Sequence, residues 1–233
     1  MEYSELKALY INCTLKKSPT LSHTQGLIDL SRRTMESRGV QTESFRLADF
    51  VVPPGMQSDM TEDGYDRDDW PKLWPQILEA DILCLAGPIW LGENSSVMRI
   101  LMERLYAMSG LLNEQGQYSF YGKVGCTLLS GNEDGVKHAA MGNLYGLQHI
   151  GYTIAPQADA GWVGTIGPGL SYLDKGSGGP ENDFTNRNTV FMSWNAMHLA
   201  ALLKKNNFYP AVGNSRRAWD EGDRTGFIPR QSS

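Results

Sequence analysis

The strongest constraint on the fold lies near the amino terminus, in residues 8–24. The apolar run 8–11 is too short for an ordinary helix, and a loop rich in hydroxyl and lysine side chains follows it at once. This pattern is typical of a buried strand in a parallel sheet. Ser22 and Gln25 have the spacing of a capping box, so a helix is predicted to begin at Ser22. The segment therefore predicts a strand, a polar loop and a helix whose first N–H groups face that loop.

The side chains of this loop indicate an anion site. The N-terminus of a helix attracts negative charge through its free N–H groups and its dipole. Hydroxyl donors and two cations would add to that attraction: Thr14, Ser18, Ser22, Thr24, Lys16 and Lys17. Such a loop can hold a terminal phosphate without a metal ion. The alternative is that the loop is polar only because it connects two elements at the surface, with both lysines solvated.

Length and charge limit the possible functions. A chain of 233 residues suits one α/β domain with elaborations, and we predict a domain over residues 1–205 and a polar tail over 206–233. The net charge of −5 is spread without a basic run, which argues against nucleic acid and against an anionic membrane surface. The first twelve residues do not resemble a signal peptide, and no segment approaches the ~20 apolar residues of a membrane span. A cytoplasmic protein acting on a small molecule is therefore expected.

The three cysteines carry no metal or disulfide signature. Cys13, Cys84 and Cys126 are far apart and form no C-x-x-C pair, so neither a disulfide framework nor an iron–sulfur or zinc cluster is predicted. All three fall in or just after predicted strands, where buried and unreactive thiols are expected. His149 and His198 form no ligand pattern with carboxylates, and no metal site is predicted.

Apolar periodicity alternates between strand and helix along the chain. Strands are predicted at 8–11, 40–47, 82–86, 123–130 and 152–158, with a helix after each. Charged residues inside the second strand and Pro156 in the fifth place these two at the edges of the sheet. The pattern predicts a doubly wound five-stranded parallel sheet of order 2-1-3-4-5, the flavodoxin-like plan, with helices on both faces. The competing dinucleotide-binding plan requires glycines in the first loop, which is hydroxyl-rich here.

Two long stretches have no periodicity and are interpreted as loop insertions. Residues 48–69 contain prolines and many acidic residues, and a segment of this kind often covers a site. Residues 161–179 contain seven glycines without a repeat. Their spacing does not follow the dinucleotide fingerprint G-x-G-x-x-G.

Three loops at the predicted strand ends together resemble the flavodoxin-like NAD(P)H-dependent FMN reductase family. The first resembles the family's phosphate loop, and its matching residues are Thr14, Lys16, Ser22, His23 and Thr24, with His23 in place of the usual asparagine. The second resembles the stretch along the isoalloxazine ring, and comprises Pro88, Ile89, Trp90, Leu91 and Gly92. The third resembles the loop that supports the other side of the ring, and comprises Ser130, Gly131, Asn132 and Glu133.

This resemblance implies FMN as the bound cofactor and NADPH or NADH as the co-substrate. It also implies a small-molecule electron acceptor, such as a flavin or a quinone, and a homodimer or homotetramer. The bound flavin would carry the redox chemistry, so no catalytic side chain is predicted.

Other interpretations of the same residues stay open at this stage. The chain could be an electron-transfer flavodoxin, although such carriers tend to be shorter and more acidic, or a flavodoxin-fold binding module without flavin. Trp90 could be a core or dimer aromatic residue. Asn132, Glu133 and Asp134 could simply cap the helix that follows them.

Overall fold

The computed structural model describes residues 2–132, 134–165, 167 and 169–228. In this part of the chain the strands are β1 Lys7–Asn12, β2 Gln41–Arg46, β3 Ile82–Trp90, β4 Glu93–Asn94, β5 Val124–Gly131 and β6 Thr153–Val163. Five of them pair in parallel in the order β2-β1-β3-β5-β6, which confirms the predicted doubly wound, flavodoxin-like sheet. The short strand β4 was not predicted, and it pairs antiparallel with the end of β3.

Helices cover both faces of this sheet. They are α1 His23–Glu36, α2 Trp70–Glu79, α3 Ser96–Ala107, α4 Val136–His149, α5 Asp183–Lys205 and the short α6 Arg216–Asp220. Helices α1 and α5 pack on one face, whereas α2, α3 and α4 pack on the other. Because parallel strands are buried on both faces, the central strands are near-continuous apolar runs, as in β3 and β5.

Side-chain alternation along β1 places the polar residue Asn12 on the face of the sheet that α1 covers. Tyr10 belongs to the apolar cluster under α1 and α5, whereas Leu9 and Ile11 belong to the cluster on the opposite face. Asn12, two residues after Tyr10, therefore lies on the α1 side and is fully buried. The last residue of β1 thus directs an amide group toward the beginning of α1.

The edge strand β6 is longer than predicted. It pairs with β5 from Thr153 to Val163, and a register irregularity between Gly125 and Thr127 separates the two halves of the ladder. The second long insertion consequently starts after Val163, beside Gly131 at the carboxyl end of β5. This extension brings the chain to the carboxyl-terminal end of the parallel strands, where the loops after β1 and β3 also lie.

The first long insertion, residues 48–69, is held on helix α3 by a buried ion pair. Arg104 donates to the Asp68 carboxylate at 2.6 Å, and neither side chain is exposed. The two Asp68 oxygens also accept the Met60 and Trp70 N–H groups, both at 2.9 Å. Because these bonds hold the segment on α3, it contributes no residue to the crevice described below.

Residues 206–228 lie against the opposite end of the sheet, near the start of β5. The Gln117 side chain donates to the Tyr209 and Pro210 carbonyls and to the Asn214 side chain at 2.8–3.3 Å. Phe208 packs where Gly122 has no side chain. The described part of the tail is therefore attached to the domain, and residues 229–233 lie outside the described residues.

The three cysteines are buried in the sheet or beside it, and we expect them to be unreactive in the native protein. Burial raises the pKa of the Cys13 and Cys84 thiols, so the reactive thiolate is scarce at neutral pH. A disulfide reagent for thiol titration should modify almost none of them in buffer and all three in denaturant. Rapid reaction of one thiol in the folded protein would contradict this placement.

Candidate functional site

The carboxyl ends of β1, β3 and β5 form a crevice of about 140 Å³ at one edge of the sheet. Ten of the predicted site residues line it: Thr14, Lys16, His23, Thr24, Pro88, Ile89, Trp90, Ser130, Gly131 and Asn132. The three loops that were singled out in the sequence therefore meet around one crevice, at the switch point between β1 and β3 where ligands bind in folds of this class.

Three other predicted residues lie outside the crevice lining. Ser22 is buried behind the first loop, and Leu91 and Gly92 form the turn after β3 without lining the crevice. Glu133 lies outside the described residues. Ser171 and Tyr172 line the crevice but were not predicted, because they belong to the glycine-rich insertion, which carries no motif.

Asn12 organises the first loop through three hydrogen bonds. Its amide nitrogen donates to Ser22 Oγ at 3.1 Å and to Gln25 Oε1 at 3.0 Å, and its oxygen accepts the Thr14 N–H at 3.0 Å. Helix α1 does begin directly after Ser22, as predicted, but the Ser22 side chain does not cap it. The predicted capping box is therefore wrong. Its two side chains, those of Ser22 and Gln25, both accept hydrogen bonds from the buried Asn12 amide.

This arrangement leaves the N-terminus of α1 open to an anion. The first N–H groups of a helix have no partner in the preceding turn. Here the Gln25 N–H donates to the Ser22 carbonyl at 3.1 Å, and the Ser22 side chain caps none of the first N–H groups. The hydroxyl groups of Thr14 and Thr24 and the exposed ammonium group of Lys16 border the same crevice. Helix N–H groups, hydroxyl donors and a lysine together form a donor set that fits a phosphate group.

Contacts between the loops fix their relative positions. The hydroxyl groups of Thr24 and Ser130 lie 2.8 Å apart and join the first loop to the third. Ser95 donates to the Cys13 carbonyl at 2.9 Å and joins the second loop to the first. A Cβ atom on Gly135 would lie 2.5 Å from the Gly92 carbonyl oxygen, so the second and third loops touch through their backbones.

Trp90 lies at the mouth of the crevice and not in the core. Half of its side chain is exposed, whereas the preceding Ile89 is buried. Leu91 and Gly92 have positive φ angles of 53° and 74°, and this turn brings Glu93 back into pairing with Trp90. The hairpin presents the indole at the edge of the sheet, which excludes the core interpretation of this residue.

Asn132 does not cap helix α4. Its amide donates to the Gly169 carbonyl at 2.9 Å, and the N-cap residue of α4 is Gly135, which has no side chain. Asp134 accepts a hydrogen bond from the Gly135 N–H at 2.7 Å. Asn132 therefore lines the crevice and binds the glycine-rich insertion through the Gly169 carbonyl.

His23 links the first loop to the glycine-rich insertion. Its Nδ1 accepts the Leu173 N–H at 3.1 Å, and its Nε2 lies 3.9 Å from an Asp174 carboxylate oxygen. Burial lowers the pKa of His23, with Asp174 opposing this shift and Lys16 adding to it. The imidazole is accordingly neutral at pH 7, with Nδ1 free to accept a hydrogen bond.

The described residues support neither a metal site nor a membrane-spanning helix. They contain no group of three or more His, Cys, Asp or Glu side chains arranged to hold a metal ion. No helix among them has both the length and the apolar character that crossing a bilayer requires.

Comparison with known proteins places this geometry in a family. The model of the family described as NADPH-dependent FMN reductase matches residues 6–159. The 8-demethyl-8-aminoriboflavin-5′-phosphate synthase of Streptomyces davaonensis is 38% identical over 205 residues, which cover 86% of this chain and 79% of that enzyme. The crystal structure of RosB with the bound intermediate 8-demethyl-8-formylriboflavin-5′-phosphate superimposes with a TM-score of 0.83 and 35% identity, covering 97% of this chain and 91% of RosB.

A third relative shares only part of its length. The Mycobacterium bovis protein named divalent metal cation transporter MntH is 60% identical over 202 residues, which cover 87% of this chain. The chain spans only 30% of the length of that protein. On the family model and the synthase, this chain belongs to the NADPH-dependent FMN reductase family.

Proposed function

We propose that the crevice binds FMN and that the enzyme passes hydride from NADPH or NADH to a small acceptor, such as a flavin or a quinone. The observation that carries this proposal is the open N-terminus of α1, bordered by hydroxyl groups and Lys16 and fixed by Asn12. The ten predicted residues that line the crevice are proposed as flavin contacts on the same basis.

The dimensions of the crevice fit one end of this ligand. A volume of about 140 Å³ equals that of roughly five water molecules, which suits a phosphate group and the beginning of a ribityl chain. Trp90 at the mouth offers an aromatic surface for the flat ring outside. When bound, FMN would supply the redox chemistry, and the residues of the chain hold the phosphate, orient the ring and exclude water from one of its faces.

A second candidate treats the flavin phosphate as the substrate. The synthase and RosB both handle flavin phosphates altered at position 8, according to their names. The similarity to RosB covers 97% of this chain and thus includes the glycine-rich insertion beside the crevice. In this candidate the crevice holds the same phosphate, but the ring itself is changed during turnover.

Metal transport is not proposed. The portion shared with the Mycobacterium bovis relative is 30% of that protein, so the name of that protein is not carried over to this chain. The described residues support a flavin site, with the fold and donor set given above.

The purified protein is expected to show a flavin absorption spectrum. Extraction and chromatography should identify the flavin as FMN, because the site offers one cradle for a terminal phosphate and the sequence has no second nucleotide fingerprint.

Steady oxidation of NADPH or NADH with a flavin or quinone acceptor supports the reductase. Mass spectrometry of the recovered flavin distinguishes the second candidate, which requires a mass change on the ring, and recovery of FAD would contradict the FMN site.

Asn12→Asp should weaken FMN binding far more than riboflavin binding. The variant keeps an acceptor for the Thr14 N–H, loses the donors to Ser22 and Gln25, and places negative charge behind the phosphate site. Two lost hydrogen bonds and the repulsion together correspond to roughly 2–4 kcal/mol. Titration of both flavins measures the difference. Asn206→Asp adds the same charge at the far end of α5 and is the matched control; equal FMN affinity in the two variants would rule out a phosphate at this loop.

Trp90→Leu should weaken FMN binding by about 0.5–1.5 kcal/mol while the melting temperature stays near that of the wild type. The reason is that half of the indole is exposed, so truncation leaves no internal cavity. Trp219→Leu, at a similarly exposed residue on α6, is the matched control and should leave FMN affinity unchanged.

Fluorescence provides an independent check on the same residue. Wild-type emission should recover more on flavin removal than that of Trp90→Phe, since the indole beside the ring is quenched in the complex. Equal recovery in the two proteins would remove Trp90 from the flavin site.

A further inference from the structure

The loop of residues 169–182, here called the clamp loop, lies beside the crevice. Ser171 and Tyr172 of this loop line the crevice together with the phosphate-loop residues. Both neighbouring flavin loops hold it, since Asn132 donates to the Gly169 carbonyl at 2.9 Å and the Leu173 N–H donates to His23 at 3.1 Å. The clamp loop therefore bridges the first and third loops of the proposed flavin site.

Hydrogen bonds within the clamp loop give it one defined shape. The Asp174 carboxylate accepts the Ser171 N–H at 2.8 Å, and the Asp174 N–H donates back to the Ser171 carbonyl at 2.8 Å. The Ser177 hydroxyl donates to the Tyr172 carbonyl at 2.8 Å. Ser171 is thus the first residue of a tight turn that ends at Asp174, directly before the buried Tyr172.

The clamp loop is anchored on helix α1 at a glycine. A Cβ atom on Gly26 would lie 2.6 Å from a Leu173 methyl carbon and 2.7 Å from the Tyr172 ring, so only glycine allows this approach. Tyr172 is 3% exposed, and its ring packs edge-on against Trp162 with centroids 5.5 Å apart. The loop is therefore packed on the domain one turn after the proposed phosphate-binding N-terminus of α1.

The Ser171 hydroxyl has no hydrogen-bond partner among the described residues, although its backbone groups are paired. It borders the same crevice as Thr14, Lys16 and Thr24. We propose that Ser171 is a further ligand of the flavin 5′-phosphate and that His23 is a positioning residue that holds the clamp loop over it. This proposal rests on the proposed function, in that the crevice is taken to bind FMN.

The hydrogen bond to Leu173 requires an unprotonated Nδ1 on His23. Among the described residues, the charged groups that act on this ring are Asp174 from the clamp loop and Lys16 from the phosphate loop. Burial lowers the pKa of His23 below the usual 6.5, so the bond is present at neutral pH and is lost as the pH falls through the lowered value. Acidification should consequently loosen the clamp loop.

Affinity measurements with FMN and riboflavin test the role of Ser171. Ser171→Ala should weaken FMN binding about tenfold, the loss expected for one hydrogen bond to a charged group, and change riboflavin binding less than twofold. Lys175→Ala, at an exposed residue of the same loop, is the matched control and should leave both affinities unchanged. Unchanged FMN affinity in Ser171→Ala, or an equal loss for both flavins, would overturn the assignment of Ser171.

The dissociation rate of FMN tests the role of His23. His23→Ala should release FMN about tenfold faster at pH 8, whereas His23→Asn should stay near the wild type because Asn Oδ1 can accept the Leu173 N–H. The wild-type rate should rise in acid, and the rate of His23→Asn should not follow it. A wild-type rate in His23→Ala at pH 8, or a wild-type pH profile in His23→Asn, would overturn this role.

Hydrogen exchange at the Leu173 amide tests the clamp loop without any flavin. After correction for the intrinsic exchange rate, the amide should be protected in the flavin-free wild type and in His23→Asn but not in His23→Ala. Protection in all three proteins would overturn the His23 contact. If the amide behaves as expected but the protein binds no FMN, the proposed function fails while the His23 contact stands.

Discussion

A parallel sheet has to be covered on both faces, and the site follows from that requirement. Each of the five parallel strands is connected to the next by a segment with a helix that crosses a face, so these five strands point the same way and their carboxyl ends lie at one edge. The loops after β1, β3 and β5 therefore meet, although more than 110 residues separate Thr14 from Ser130. The direct contact between the hydroxyl groups of Thr24 and Ser130 is a consequence of this geometry.

A single buried amide then determines what the first of these loops can bind. A buried polar side chain is costly unless it is hydrogen-bonded, and Asn12 meets this requirement with Thr14, Ser22 and Gln25. By engaging Ser22, it prevents the usual side-chain cap of the helix that follows. The same interaction thus stabilises the loop and leaves the helix N-terminus available for an anion.

The two long insertions have different relations to this site. The first is attached to α3 through Arg104 and Asp68 and supplies no residue to the crevice. The second follows an edge strand that extends to the site, and it packs against α1 at Gly26 and His23. Enzymes that share the fold can differ in substrate through such loops, because the sheet fixes the cradle and the loops decide what closes over it.

The sequence by itself determined the sheet order, the edge strands and ten residues of the crevice, because these depend on local patterns: apolar runs, helix periodicity, and turns at strand ends. It also implied the family, through motifs in three short loops. Only the tertiary structure decided that Ser22 bonds Asn12 and does not cap α1, that Trp90 lies at the mouth, and that Ser171 and Tyr172 join the site. These outcomes depend on contacts between segments far apart in the chain, such as Tyr172 on Gly26, and a glycine-rich segment has no periodicity from which such a contact could be inferred.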